Sequence, residues 1–386
     1  MVTVRVFLAV AAVKKWELHQ MDVHNAFLHG DLSEKVYMQL PPGFYKGCPG
    51  LVCKLNKSLY GLKQTPRCWF SKLATTLKRY GFTQSYSDYS LFTLCKGQMR
   101  FHVLVYVDDL IISGNDSAAI STFKQYLNSC FHMKDLRVLK FFLGVEVARS
   151  EEGIFLSQRK YALDIISKAG LLGAKAVAFP MEQNQRLAGS TSAVLHDVDR
   201  YRRLVGGLLY LSFTRPDLSF AVHILSQFLH EPRQDHWSTA LRVVKYLKGS
   251  PRQGILLSAD CDLKLSGWCD SDCASCLITR QYVSGWIVFL GHSPVSWKSK
   301  KQETVSRSSA EAEYRSMALV TCELKWLKGL LACFRVDHTG SMELFCDSQS
   351  ALHLAHNPVF HERTKHIEID CHFLRDAVLA DLHAPT

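Results

Sequence analysis

No stretch of this sequence reaches the roughly eighteen consecutive apolar residues that a membrane-spanning helix requires. No basic amphipathic helix with an aromatic face offers a membrane surface another grip, so a membrane is not an expected partner. A secretory leader is not expected. In the apolar opening from Met1 to Val13 the only early charge, Arg5, lies inside the run, and Lys14 and Lys15 stand where a small-residue cleavage site belongs. A second paired cysteine motif is missing. The 13 cysteines are odd in number and irregularly spaced, which argues against a disulfide framework and suits a reducing compartment. Cys269, Cys273 and Cys276 have no second pair downstream to complete a zinc site, and His353, His356, His361 and His366 have no cysteine pair either. Acidic residues are in deficit: 35 Asp and Glu face 46 Lys and Arg, a net charge of +11. A surplus of that size draws polyanions, nucleic acid foremost.

The 386 residues exceed one ordinary core, so two or three domains are expected. In the stretch from Phe101 to Gly114, Asp108 and Asp109 interrupt two apolar runs rich in β-branched residues, which reads as a strand, a tight turn and a returning strand. Adjacent aspartates repel, so such a turn is either a solvated tip or the holder of a hard divalent ion bound through oxygen. Residues 4 to 15 read as a helix. The segment from Leu18 to Gly30 carries Asp22 after an apolar approach and Phe27 five residues later. From Leu59 to Phe70 a Gly and Pro loop enters a helix bearing Trp69, Leu73 and Leu77 on one face. Asp116 or Ser117 caps a further helix with Ile120, Phe123 and Leu127 inward. A second hairpin joins Phe141 to Val147 with Ile154 to Leu156.

From Gly173 to about Asp197 periodicity vanishes, the mark of a linker or irregular loop. Helices follow at 198 to 212, 217 to 229 and 234 to 249, broken at Thr214-Arg215-Pro216; their basic residues suit a duplex backbone or solvated faces equally. Strands are expected from Leu263 to Cys269, Tyr282 to Leu290 and Val295 to Trp297. Ser308 and Glu311 form a capping box that opens a long helix and leaves Glu313 free. A strand from Met342 to Cys346 ends at Asp347. Asp270, Glu313 and Asp347 thus form an acidic, metal-binding pattern spread over two strand ends and a helix.

Gln20-Met21-Asp22-Val23, Leu59-Tyr60-Gly61-Leu62-Lys63-Gln64, Tyr106-Val107-Asp108-Asp109 and Phe142-Leu143-Gly144-Val145-Glu146 occur in the order seen in copia-type LTR retrotransposon reverse transcriptases. The chain resembles a fragment of that family's Pol polyprotein. The pattern of Asp270, Glu313 and Asp347 resembles ribonuclease H, and Ser308 to Tyr314 and Asn357 to Asp370 are close to the copia sequences. The resemblance implies a multidomain α+β and α/β fold. It would comprise a right-hand palm of antiparallel strands backed by helices with truncated fingers over 1–172, a linker and helical thumb or connection over 173–253, and a ribonuclease H-like mixed sheet with flanking helices over 254–386.

It further implies RNA-directed DNA polymerase activity with hydrolysis of the RNA strand in RNA–DNA hybrids. Asp22 and Asp108, with Asp109 auxiliary, would bind metal at the first site, and Asp270, Glu313 and Asp347 at the second. A fourth ligand is expected from Glu368 or Asp370, with Asp370 preferred. Two Mg²⁺ ions per site, or Mn²⁺, would activate the attacking oxygen and steady the leaving group. Phe27 matches the aromatic gate against a ribose 2′ hydroxyl. Gly61, Gln64 and Pro66 resemble the loop near the templating base, and Leu143 and Gly144 the hairpin at the primer end. RNA template, DNA primer, RNA–DNA hybrid and deoxynucleoside triphosphates are the implied partners. The implied setting is cytoplasmic, within virus-like particles and with nuclear access. Two departures stand out. The chain begins shortly before Asp22, where the family carries a long basic fingers segment. After Asp270 it has Asp272-Cys273-Ala274-Ser275-Cys276 and Leu277-Ile278, where the family has Trp, Ala and Gly after its second Asp and then polar or charged residues. An inactive, truncated remnant that binds nucleic acid is the alternative expectation.

Overall fold

A computed structural model describes residues 1–44, 51–182, 185, 187–272, 281–302, 304–306, 308–338, 340–356 and 368–380. Its contacts fall into two compact units, one of Lys15–Leu139 and one of Met1–Lys14 with Lys140–Thr386. The N-terminal helix α1 (Val2–Val13) belongs to the second unit.

The Lys15–Leu139 unit contains β1 (Glu17–Val23), a 3-10 turn at Ala26–His29, β2 (Asp31–Gln39), β3 (Val52–Lys57) and α2 (Thr65–Tyr80). It continues through β4 (Thr83–Gln84), β5 (Leu91–Lys96), β6 (Met99–Tyr106), β7 (Asp109–Gly114), α3 (Ser117–Cys130) and β8 (Met133–Val138). The main sheet runs β4-β5-β6-β7-β1-β8, antiparallel throughout; β2 and β3 form a separate ribbon. Alternation along the strands sends Phe101, Val103 and Val105 of β6 and Leu110 and Ile112 of β7 to one face. There they share a core with Trp69, Leu73 and Leu77 of α2 and Ile120, Phe123 and Leu127 of α3. Of the two expected caps it is Asp116 whose carboxylate accepts from the Ala119 amide, at 2.9 Å.

The second unit opens its sheet elements with β9 (Phe141–Phe142), β10 (Val145–Arg149) and β11 (Gly153–Ser157), followed by α4 (Arg159–Lys168), α5 (Val198–Leu211), α6 (Ser219–Ser226) and α7 (Gln234–Gly249). Then come β12 (Ile255–Ser258), β13 (Leu265–Asp272), β14 (Val283–Leu290), β15 (Ser293–Lys301), α8 (Ser309–Cys333), β16 (Glu343–Cys346), α9 (Gln349–His356) and α10 (Glu368–Ala380). The compact units do not divide at 172 and 253. β11 pairs with β12, Gly153 opposite Ser258 and Leu156 opposite Ile255, so the segment from Lys140 is bound to strands about a hundred residues further on, a pairing no local pattern shows. Helices α4 to α7 enclose one apolar core around Tyr201, Val205, Leu208, Val243 and Leu247.

The break at Thr214 to Pro216 is a buried corner. Arg215, 1% exposed, pairs with Asp217 at 2.8 Å and donates to the Ser250 carbonyl at 2.8 Å. The last sheet runs β15-β14-β13-β16, antiparallel except for the parallel β13 and β16 pair. Helix α8 covers β13 and β14, with Gly267 under Val320 and Leu324. Helix α1 packs on β11, β12 and β15 and is buried almost all round, which accounts for its apolar run. Its Arg5 donates to the Val295 carbonyl at 2.7 Å and lies over the Trp297 ring at 3.7 Å; burial lowers this guanidinium to about 9. Among the described residues no helix is long and apolar enough to cross a membrane.

Two candidate acidic sites

In the first unit, the chain reverses between β6 and β7 within two residues: Tyr106 pairs with Asp109, and Val107 and Asp108 form the bend. Val107 takes the left-handed region, φ 56, a conformation disfavoured for a β-branched residue. Two hydrogen bonds hold it. The buried Trp69 indole donates to the Val107 carbonyl at 2.6 Å, and the Val23 amide donates to the Asp108 carbonyl at 3.0 Å. Strand β1 runs beside β7 in a register that sets Asp22 directly opposite Asp109. Three aspartates therefore meet at one end of two neighbouring strands, all half-buried. Gln20, on the same face of β1 as Asp22, donates to Asp109 Oδ1 at 3.0 Å. Burial raises the Asp109 carboxyl above its ordinary value; the Gln20 bond opposes this, and the charges of Asp108 and Asp22 add to it. A carboxylate raised by burial and by two neighbouring carboxylates fits a divalent cation.

Phe27, half-buried in the turn after β1, packs against Tyr60 with ring centroids 4.9 Å apart. Its carbonyl accepts from the Ser58 hydroxyl. Gly30 is crowded by Ser58, Cys68 and Trp69, so a Cβ there would press on the same corner. Gly61 has φ +95 with open space around it, which makes it a turn glycine. Gln64 is the residue before α2, its carbonyl accepting from the Cys68 amide at 3.0 Å, and Pro66 sits in the first turn. Leu143 and Gly144 belong to the second unit. Both have positive φ, 48 and 73, at the β9–β10 turn, and the Tyr210 hydroxyl donates to the Leu143 carbonyl.

In the second unit, Asp270 on β13 and Asp347 just after β16 stand at the ends of strands that pair in parallel. Both line a cavity of about 560 Å³ with Trp268, Trp286, Trp297, Phe345 and Lys298. Ser308 Oγ accepts from the Glu311 amide at 3.2 Å, and the Glu311 carboxylate accepts from Arg315 at 2.9 Å. Two residues on, Glu313 points inward, 7% exposed, and Oε1 accepts from the Ser271 amide at 3.0 Å. Burial pushes its carboxyl up to about 8; the Ser271 bond opposes the shift, while Cys346, Asp270 and Asp347 add to it. Among the described residues, the ligand atoms of Glu313, Cys346 and Asp347 all lie within 4.8 Å of one another. The three aspartates of the first site are not drawn together to that degree.

Asp370 lines a different cavity, of about 530 Å³, with Lys300, Lys301, Thr304, Arg315 and Cys322. Burial raises its carboxyl, Arg315 opposes the shift and Glu311 adds to it. The side chains of Glu368 and His356, and residues Cys273, Cys276, Leu277, Ile278, His361 and His366, lie outside what the structure describes, as does the Asp272 side chain. Gln20, Trp69, Tyr210 and Cys346 contact the candidate site residues in ways sequence reasoning did not assign. Gln20, Trp69 and Cys346 stood in named motifs or elements, whereas Tyr210 had no local signal.

Residues 1–183 match the family model described as reverse transcriptase (RNA-dependent DNA polymerase). The chain is 46% identical over 379 residues to the retrovirus-related Pol polyprotein from transposon RE2 of Arabidopsis thaliana, an alignment covering 97% of this chain and 26% of that protein. With the corresponding polyprotein from transposon TNT 1-94 of Nicotiana tabacum it shares 35% over 389 residues, 98% of this chain and 29% of that protein. It is 32% identical over 308 residues to the putative transposon Ty5-1 protein of Saccharomyces cerevisiae, covering 79% of this chain and 100% of that protein. The chain belongs to the reverse transcriptase family, among the copia-type retrotransposon Pol polyproteins. It spans about a quarter of the length of the Arabidopsis polyproteins.

Proposed function

We propose that the chain carries out RNA-directed DNA synthesis at Asp22, Asp108 and Asp109, and hydrolysis of the RNA strand of hybrids at Asp270, Glu313 and Asp347. The observation that carries the first half is the register: Asp22 opposite Asp109, with Asp108 in the adjoining β6–β7 bend. In this reading the palm lies within 1–172, the thumb and connection within 173–253 and the ribonuclease H-like part within 254–386.

Divalent cations held by these carboxylates, Mg²⁺ foremost, would supply charge neutralisation at phosphorus and a more acidic attacking hydroxyl or water. The protein's own residues do the rest. Trp69 and Val23 fix the bend that presents Asp108, and Gln20 holds Asp109 to one side. Phe27, backed by Tyr60, would crowd a 2′ hydroxyl and favour deoxynucleotides. In the nuclease half, Glu313 is buried with Ser271 as its hydrogen-bond donor, and Asp270 and Asp347 border an open cavity that a backbone phosphate could enter. Asp370, beside Arg315 in the neighbouring cavity, would act by approach of α10.

The test is primer extension on an RNA template with purified protein and Mg²⁺. The wild type extends a DNA primer and Asp108→Asn abolishes extension, while both bind template-primer with the same steep salt dependence. Equal, feeble extension by both would overturn the polymerase reading and leave a remnant that only binds nucleic acid. Cleavage of the RNA strand in a hybrid, lost in Asp347→Asn, tests the nuclease half.

A further inference from the structure

Beside the acids of the nuclease site lies a donor of different chemistry. Cys346 ends β16, 7% exposed, and its Sγ stands 3.9 Å from Glu313 Oε2. With Asp347 these two side chains put a sulfur and two carboxylate oxygens within 4.8 Å of one another. Glu313 Oε1 accepts from the Ser271 amide and Oε2 from the Cys346 thiol, and no Lys or Arg pairs with Glu313 among the described residues. For an ionised carboxylate nine-tenths buried, one amide, one weak thiol donor and a neighbouring carboxylate are an arrangement that a cation improves. It is also an unusual one for a site serving Mg²⁺ alone, which takes oxygen donors. Sulfur favours Zn²⁺ and Cd²⁺, which bind a thiolate at about 2.3 Å or slightly more and carboxylate at about 2.0–2.2 Å.

We infer that Cys346 Sγ, with Glu313 and Asp347, forms a site for a thiophilic divalent ion, Zn²⁺ or Cd²⁺, that competes with the hard cation for the same carboxylates. Binding releases the Cys346 thiol proton to solvent and forms a metal–sulfur bond, with no change of oxidation state. Cys269, paired with Cys346 across the parallel strands, lies 3.5 Å from the Phe345 carbonyl and hydrogen-bonds the Cys346 thiol, but is not one of the clustered ligand atoms. The inference rests on the nuclease reading only for the competition; ion binding stands by itself.

The experiment titrates the full chain, reduced with a phosphine, with Cd²⁺ alone, and reads sulfur-to-cadmium charge-transfer absorption in the ultraviolet. Subtracting the Cys346→Ser titration removes the background of the other cysteines. The expected difference is the absorption of one thiolate and a loss of affinity on the order of tenfold or more. Asp347→Asn changes an exposed side chain and weakens the same binding to a similar degree, so the result does not depend on how Cys346→Ser folds. Cys269→Ser keeps the band. Identical titrations for wild type, Cys346→Ser and Asp347→Asn would overturn the site. RNA cleavage in Mg²⁺ reports separately: binding of Cd²⁺ without cleavage keeps this site and rejects the nuclease reading, whereas cleavage with no difference titration does the reverse.

Discussion

Asp22 lies directly across the sheet from Asp109, on the antiparallel neighbours β1 and β7. The relationship is a matter of register. Side chains on a strand alternate faces, so a slip of one residue would turn Asp22 to the opposite face and carry Met21 out of the core. The apolar residues flanking the acids therefore hold the acids in place.

The bend itself depends on one indole. Trp69→Phe keeps the ring in the core and removes the donor to the Val107 carbonyl, at a cost of about 1–2 kcal/mol. The β6 and β7 amides should then exchange roughly tenfold faster or more, and primer extension should fall. Unchanged exchange at those amides would show that the turn holds without Trp69.

At the β9–β10 turn, Gly144 has φ +73, and a Cβ would run into the Tyr210 hydroxyl. Gly144→Ala should cost well over the ~1–2 kcal/mol of a left-handed alanine alone. In a Tyr210→Phe background the added cost should shrink, with a coupling of roughly 0.5–3 kcal/mol. Strictly additive losses in thermal melting would contradict the contact.

Glu313 sets a pH dependence. Its folded value, about 8, lies above the ordinary 4.5, so the folded state retains a proton that the unfolded chain releases. Its stabilising contribution is complete below pH 4.5 and is lost as pH rises through about 8. Glu313→Gln should melt higher than the wild type at alkaline pH and show a flatter profile between these limits. Added divalent ion should recover part of the wild-type loss at alkaline pH. A wild-type profile as flat as the variant's would count against the buried, unneutralised carboxylate.

Arg215 tests whether a basic residue of the helical region meets nucleic acid or the fold. It is buried against Asp217, the Ser250 carbonyl and the Tyr246 ring. Arg215→Ala should cost about 3–5 kcal/mol by stranding those partners, and Arg215→Lys should fail to restore stability because the forked donors are lost. Near-normal melting of Arg215→Ala would show that the corner is held elsewhere.

Elements with a local signal were legible in the sequence. The acidic hairpin showed as two apolar runs around Asp108 and Asp109, the α2 face as Trp69, Leu73 and Leu77, and the start of α8 as Ser308. Asp108, Asp109, Asp270, Glu313 and Asp347 were named from residue type and position, and Asp22 joined them through the family resemblance. Partners distant in sequence were not legible. Nothing near Tyr210 announces the Leu143 carbonyl, and nothing near Arg5 announces Val295, because a hydrogen bond between residues so distant in sequence leaves no periodicity.

The sequence by itself determined which acids are present and which strand or helix end carries each, since alternation, capping and turn chemistry act over a few residues. Only the tertiary structure decided that Asp22 faces Asp109 with Gln20 bonded to Asp109, that Asp370 stands with Arg315 in a separate cavity, and that Cys346 joins Glu313 and Asp347. Those outcomes follow from strand register and helix packing, which are fixed by the burial of whole faces rather than by any residue's neighbours in the chain.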